Sequence, residues 1–330
     1  MQNTIRQFAT PIIVMALAAT AAASAFSQSN PWPSRPVKIL LGLPPGSGSD
    51  LLARAFAQRL TATWGQPVVV ENRPGASMII ATEAVAKSAP DGHTLLFALD
   101  SNFTVLPHLY AKLPYDPFKD FAPIVLLTRF GLVMVAHPSV PAQSVAEFIA
   151  AAKREPGKFT YGSLGSGSQM HLMGEMLGHR AGARLVHVPY KGIPQMMTAV
   201  LTGEVNATFV GVYSSRPMVA QQKLKALAYG ASKRSPLMPD VPSFDELGLA
   251  EVSVTAWYGL LAAAGTPRSV VERIHADSTA LMAEPEFRDK QMLARAYEPA
   301  SLSPDGFAAM IREEYAARAP IVKQSGAKVE

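Results

Sequence analysis

Short apolar, β-rich runs alternate with amphipathic segments of helical length, and this alternation restricts the fold more than any other feature of the chain. VKILLGL precedes a helix-like stretch near 50–63, PVVVEN precedes another near 78–88, and HTLLFAL follows. Strand, helix, strand order of this kind predicts an α/β chain with a mainly parallel sheet covered on both faces. Ligands in such sheets sit beyond the carboxyl ends of the strands. The turn PPGSGS, residues 44–49, occupies one of those places.

The stretch LPYDPFKDFAPIVLLTRFGLVMVAHP is extended and apolar, interrupted only at Thr128–Arg129–Phe130–Gly131, and reads as a first crossing between two lobes. A second α/β series follows. SVAEFIAAAKREPG is a helix capped by Ser144 with Glu147 three residues on; FTYGSLGSGS is strand and loop, with a helix near 168–180. LVHVPYKG, a helix near 193–202, VNATFVGV and LKALAYGA continue the series, and VSVTAWYGLLAAAG reads as the return crossing. Helices near 267–283, 286–293 and 304–318 are expected to pack back on the first lobe. The expected division is 1–27 as a signal peptide, 28–127 with 250–330 as one lobe, and 128–249 as the other. Two crossings make a hinge.

The signal-peptide reading rests on one early positive charge, Arg6, the Ala-rich apolar run FATPIIVMALAATAAASAF, and small residues at Ala23–Ser24–Ala25 or Ala25–Phe26–Ser27 for cleavage. The competing reading is a retained membrane anchor; Pro11 and the Ala/Ser-rich end favour cleavage and a periplasmic location. With no cysteine in the chain, neither disulfides nor thiol chemistry can hold an exported form together. The formal charge of +5 is scattered, with KR doublets at 153–154 and 233–234 as its densest clusters. A nucleic-acid reader needs a basic stripe, so no nucleic-acid partner is expected, although the excess charge attracts anionic solutes.

The minimal enzyme signatures are missing. Leu51 and Met170 stand where G-x-G-x-x-G needs its last glycine, and neither a P-loop nor a G-x-S-x-G elbow occurs. His171 and Glu175 lie one helical turn apart, but no third metal ligand is evident, so no metal and no cofactor are expected.

What remains is the likeness of two loops, LLGLPPGSGSDLLAR and FTYGSLGSGSQMHLMGE, each a strand, a Gly/Ser turn and a helix start. A helix start carries unpaired N–H groups and about half a positive charge, which together bind anions. The candidate ligand-binding residues are Pro45, Gly46, Ser47, Gly48, Ser49 and Asp50 in the first loop and Leu164, Gly165, Ser166, Gly167 and Ser168 in the second. Glycine lets the backbone approach a ligand, and serine donates a hydroxyl. The alternative is that Ser49 and Ser168 only cap their own helices. Hydrogen bonds to a charged group contribute about 1.5–3 kcal/mol each, so four or five such donors reach the roughly 8 kcal/mol of a micromolar ligand after the costs of association. Asp50 works against an anion if it points inward, and is expected to turn away or pair with Arg54. Asp100 and Ser101, just after a strand, are candidates to accept from a ligand hydroxyl or amine or, alternatively, to cap the loop.

These segments, with GQPVVVENRPGA, PDGHTLL, LYAKLPYDPFKDFAPI, HVPYKG, MPDVPSFDELG and AWYGLLAAAGTP, resemble in order and spacing the periplasmic receptors of tripartite tricarboxylate transporters, the TctC-like or Bug family, over residues 32 to about 320. The resemblance implies a type II periplasmic-binding-protein fold, two α/β lobes joined by crossing strands around a ligand cleft. It implies a carboxylate held by backbone amides and ordered waters at the loops 44–50 and 164–168, and delivery to membrane permease subunits by a monomeric receptor. This chain departs from the family at Ser77 and Met78, where ENRPGAGG has glycine, and at Leu106, where NPxLY has asparagine. The ligand classes implied are di- and tricarboxylates, acidic amino acids and aromatic acids. Phe103, Tyr213, Trp257 and Tyr258 are candidate walls for a flat ligand, and Tyr190 and Lys191 sit at a strand end. Two other functions compete with transport: a carboxylate receptor for a membrane sensor kinase, and an exported hydrolase using a serine in 163–168 with His171.

Overall fold

The computed structural model describes residues 32–325, which from Arg35 onward gather into one compact unit. The expected signal peptide, 1–27, lies outside the described residues. Eleven strands in the described residues form two sheets.

The first half opens with β1 (Val37–Leu41), α1 (Gly48–Trp64), β2 (Val68–Asn72), α2 (Ile79–Ala86) and β3 (Thr94–Leu99). In α1, Leu52, Ala53, Phe56, Ala57, Leu60 and Trp64 recur at three- and four-residue intervals and are all buried, so one stripe of the helix packs on the sheet. Gly65 ends it in the left-handed region (φ 65°), its N–H donating to the Thr61 carbonyl. Strands β4 (Phe121–Phe130) and β5 (Leu132–Ala136) follow, then α3 (Val145–Arg154), β6 (Thr160–Ser163), α4 (Gln169–Ala181), β7 (Val186–Pro189), α5 (Ile193–Thr202), β8 (Ala207–Gly211), α6 (Val212–Ala220) and β9 (Lys225–Tyr229). The chain closes with β10 (Ala256–Ala263), α7 (Arg268–Ala283), β11 (Glu298–Pro299) and α8 (Pro304–Ser325).

One sheet has the order β11-β4-β10-β3-β1-β2 and the other β7-β6-β8-β5-β9. Both are mixed, where a mainly parallel sheet was expected. β1 runs parallel to β2 and β3, and β6 parallel to β7 and β8; β10 is antiparallel to β3 and β4, and β5 antiparallel to β8 and β9. The antiparallel strands β4, β5 and β10 belong to the two crossings: a chain arriving from the other sheet enters without the helical crossover that parallel neighbours need.

Gly131 alone separates β4 from β5, so one ribbon hands over from sheet to sheet at that residue. A Cβ there would meet the Tyr229 ring at 2.6 Å, and the Gly131 N–H donates to the Tyr229 hydroxyl at 2.9 Å. In the first layer Trp257, Phe103, Phe121 and Phe307 interlock edge to face and are fully or nearly fully buried. Each such side chain contributes about 1.5–3 kcal/mol of burial. α8 packs on β4 and also reaches α4, so the tail touches both layers. Where one helix was expected near 286–293, residues 285–295 form a turn of helix, a wide π turn and a tight 3-10 turn in succession.

Candidate ligand cleft

The two loops share one local construction. In the first, Ser47 has extended backbone (φ −69°, ψ 158°) and its hydroxyl accepts from the Asp50 N–H at 3.2 Å, while Asp50 Oδ2 accepts from the Gly46 N–H at 3.0 Å. In the second, Ser168 (φ −68°, ψ 154°) accepts from the His171 N–H at 3.3 Å, while His171 Nδ1 accepts from the Gly167 N–H at 3.1 Å. Gly46 and Gly167 both have φ 82°, a left-handed value that glycine adopts without strain. Each loop is therefore a reciprocal cap, with a helix start held from both sides. Gly46–Ser47 corresponds to Gly167–Ser168, two residues out of step with the match that the letters GSGS suggest. Ser49, expected as a possible cap, instead meets the Ser47 hydroxyl at 2.9 Å. With the Asp50 N–H taken by Ser47, the N–H groups of Gly48 and Ser49 precede any acceptor within their helix.

Asp50 pairs with Arg54, at 3.0 Å, and its other oxygen accepts from Asn72 at 2.9 Å. Burial works to raise its pKa, but hydrogen bonds from Arg54, Gly46 and Asn72 win and hold it below the usual carboxylate range. The Asn72 amide also donates to the Leu43 carbonyl, tying the end of β2 to the loop.

The second loop rests on neutral groups. Burial, with His187 stacked alongside at 4.1 Å, pulls His171 down to about 4, and burial pulls His187 to about 4 as well. His187 Nε2 and the Ser163 hydroxyl are 2.5 Å apart, and Ser163 in turn accepts from the Gly165 N–H at 3.0 Å. The Ser168–His171 link runs to the His171 backbone, and the Ser168 hydroxyl donates to the Gly165 carbonyl at 2.7 Å. Ser168 therefore bonds the His171 backbone and not its ring, whose Nδ1 is taken by the Gly167 N–H, so a Ser168–His171 nucleophile–base pair does not form. Glu175 accepts from the Tyr161 hydroxyl, and no cluster of three metal-ligating side chains occurs among the described residues.

Contacts between the two layers surround these loops. The Ser77 hydroxyl donates to the Ser166 carbonyl at 3.0 Å, Gln169 Nε2 donates to Asp100 Oδ2 at 2.6 Å, and the Arg295 guanidinium lies 5.3 Å over the Tyr213 ring. Asp100 is fully buried, with Oδ1 unpartnered, and burial pushes its pKa up to about 7 against the opposing pull of Arg318. Ala76, Ser77 and Met78 are consecutive left-handed residues (φ 45°, 51° and 70°). That explains the glycines of ENRPGAGG at the last two positions, and Asn102 helps to hold the strained turn by donating to the Ser77 carbonyl at 3.3 Å.

Two neighbouring cavities result. An inner chamber of about 50 Å³ is lined by Gly48, Ser168, Gln169, Tyr213, Tyr258 and Tyr297, among others. An outer cavity of about 710 Å³ lies between Gly42–Pro44, Pro74–Met78, Leu164–Gly165, Ser168 and Pro189–Gly192. Leu43, Met78, Leu164 and Ser168 border both.

Of the candidate residues, Gly48, Leu164, Gly165, Ser168, Tyr190 and Tyr213 line these cavities. Pro45, Gly46, Ser47, Ser49, Asp50, Asp100, Ser101, Ser166 and Gly167 stand outside the lining. Tyr258 joins the wall, whereas Phe103 and Trp257 are core. Sequence reasoning missed the Pro74–Met78 turn and Tyr297. The turn carried a signal in the substituted glycines; Tyr297 lies on an irregular tail and carried none.

Two α/β layers joined by crossing strands, with a helix start from each bordering one chamber, define a two-lobed solute-binding protein. The chain belongs to the tripartite tricarboxylate transporter family receptors, whose pattern it matches over residues 52–327. It is 33% identical over 314 residues to BugT of Bordetella pertussis, covering 94% of this chain and 96% of that one. It superimposes on Rhodopseudomonas palustris Rpa4515, solved with adipate, at a TM-score of 0.86 with 29% identity, covering 90% of this chain and all of that one. For R. palustris MatC, solved with bound malate, the TM-score is 0.83 at 28% identity, covering 88% and 100%. Members of this family are periplasmic solute-binding proteins and not enzymes. No helix among the described residues is long and apolar enough to cross a membrane.

Proposed function

We propose that this chain is exported to the periplasm, captures a small carboxylate between its lobes, and presents the closed form to membrane permease subunits of the tripartite type. Its lobes are 28–127 with 250–330 and 128–249, the hinge being Gly131 and the return segment that leads into β10. The observation that carries the reading is that Gly48, at the start of α1, and Ser168, capping α4, border one chamber. An anion there meets the positive ends of two helices at once. The adipate and malate bound by similar proteins support carboxylate as the ligand class.

Closure follows from shared donors. A carboxylate bridging both helix starts favours the conformation in which they are near each other, and the population shifts by that difference in affinity. Asp50 locks the first start in place, and the Ser163–His187–His171 group locks the second, so the donors are set before the ligand arrives.

Thermal unfolding and intrinsic fluorescence titrations against a panel of mono-, di- and tricarboxylates test the reading. A ligand at one hundred times its Kd adds about 2.7 kcal/mol of stability, a shift of several degrees. Failure of every carboxylate to stabilise the protein sinks the proposal. Uptake by vesicles carrying the permease subunits, dependent on the loaded receptor, tests the transport step.

A further inference from the structure

We infer that the preferred ligand is a carboxylic acid with a bulky, mostly hydrocarbon body, in preference to a small or highly charged acid such as citrate or succinate. This rests on the carboxylate reading above and narrows it.

The inference comes from which groups of the lining remain free to bind. Four of its polar side chains are already committed inside the protein: Ser77 to the Ser166 carbonyl, Ser168 to the Gly165 carbonyl, Tyr190 to Glu204, and Gln169 to Asp100. Lys191 is the only charged side chain lining either cavity among the described residues, and it is exposed at the rim. One carboxylate can be held at the paired helix starts and one further anionic group can reach Lys191. A third meets only neutral side chains such as Gln195, Tyr213 and Ser214, and an ionised carboxylate taken from water without a charged partner is disfavoured. The hydroxyl and three carboxylates of citrate ask for many more donors than this lining presents.

The rest of the outer cavity is mostly apolar. Leu43, Pro44, Pro74, Met78, Pro189 and Pro194 supply much of its hydrocarbon wall. Its volume of about 710 Å³ falls in the range of sites for ligands well above four carbons. Met78 projects from its left-handed turn against Gly42, where an added Cβ would overlap the Met78 side chain, and it borders both cavities. A thioether there grips aromatic or aliphatic surface by dispersion and sulfur–ring contact. Glycine at this position, as in ENRPGAGG, would leave that contact out.

Titration calorimetry with 3-phenylpropionate, succinate and citrate tests the assignment. 3-Phenylpropionate is expected to bind at least tenfold more tightly than either of the others. Met78→Gly, whose backbone suits the left-handed turn, is expected to weaken 3-phenylpropionate about tenfold and to narrow its lead over succinate. Lys191→Gln is expected to weaken succinate more than 3-phenylpropionate. Succinate or citrate binding more tightly than 3-phenylpropionate overturns the inference and leaves the carboxylate reading standing. An unchanged preference in Met78→Gly overturns the role given to that side chain. Binding of no carboxylate at all, whatever its size, removes the carboxylate reading and the inference with it.

Discussion

The starts of α1 and α4 have nearly the same backbone and opposite electrostatics. Ser47 and Ser168 differ by 1° in φ and 4° in ψ, and Gly46 and Gly167 share a φ of 82°. The side chain that reaches back to the glycine N–H is a carboxylate in one and a neutral imidazole in the other. Asp50 complements its own helix dipole and, held by Arg54 and Asn72, makes the first loop rigid, but its charge opposes an incoming anion. His171 performs the same backbone task with no charge, leaving the dipole of α4 free for the ligand. The comparison teaches that one loop contributes mainly rigidity and the other mainly attraction.

Removing the side chain that reaches back is the strongest test of this division. Asp50→Ala removes the side-chain acceptor of the Gly46 N–H and one acceptor each of Arg54 and Asn72, and is expected to destabilise by about 3 kcal/mol in urea unfolding. Asp50→Asn retains an acceptor for the Gly46 N–H, and is expected to cost less and to hold or tighten carboxylate binding. A large loss of binding in Asp50→Asn would show that the charge orders the site and does not oppose the ligand.

Adding a Cβ separates the two glycines next. Gly46 has open space around it, so Gly46→Ala meets only the left-handed strain of about 1–2 kcal/mol. At Gly167 a Cβ also overlaps Leu106 and comes within 2.9 Å of Leu109. Gly167→Ala is expected to cost about 2 kcal/mol or more and to favour the open form, read as a weaker ligand affinity and a larger radius in solution scattering. Equal penalties for the two variants would mean that the contact with Leu106 and Leu109 yields freely. Leu106 stands where NPxLY has asparagine, so this close fit is particular to chains with an apolar residue there.

The alternation of strands and helices, both crossings and the two loops were legible in the sequence because local periodicity and glycine turns decide them. The antiparallel direction of β5 and β10 was not, since it depends on the side from which the chain enters each sheet. The offset between Gly46–Ser47 and Gly167–Ser168 was hidden by the repeated letters. A helix begins where a cap closes, and the closing residues, Asp50 and His171, look nothing alike. The Pro74–Met78 turn lines the cleft through three left-handed residues, of which two were visible as substituted glycines. Asp100 was legible as a ligand contact or a loop cap, whereas its partner Gln169 comes from the other layer, a contact that no local pattern encodes.

Acid extends the comparison, because the imidazole can be switched and the Asp50 carboxylate resists it. His171 and His187 have folded pKa values of about 4, below the usual 6.5, so their stabilisation is full above pH 6.5 and is lost as pH falls towards 4. Asp100 runs the other way: with a folded pKa raised to about 7, it lowers stability as pH rises from about 4 to 7. The two trends largely offset each other, leaving a net loss on the order of 1–2 kcal/mol between pH 7 and 5. Asp100→Asn is expected to steepen that loss and His187→Gln to reverse it, measured by urea unfolding across the range. Amide exchange localises the effect: the Gly167 N–H should lose protection on acidification before the Gly46 N–H does. Simultaneous loss at both would show that the two caps are not independent.

The smallest effect tests the shared geometry itself. Ser47→Ala and Ser168→Ala each remove a cap acceptor, a change of about 1 kcal/mol at a helix start, and near-identical backbone angles predict near-equal costs. Ser168 also donates to the Gly165 carbonyl, whereas Ser47 shares its hydroxyl with Ser49. Both therefore lose one cap and one further hydrogen bond. Ligand binding should separate what stability does not. Only Ser168 borders the cavities, so loosening the helix start that it caps is expected to lower carboxylate affinity several-fold in Ser168→Ala, while Ser47→Ala leaves it within a factor of two. Equal losses of affinity would mean that the two helix starts bear equally on the ligand.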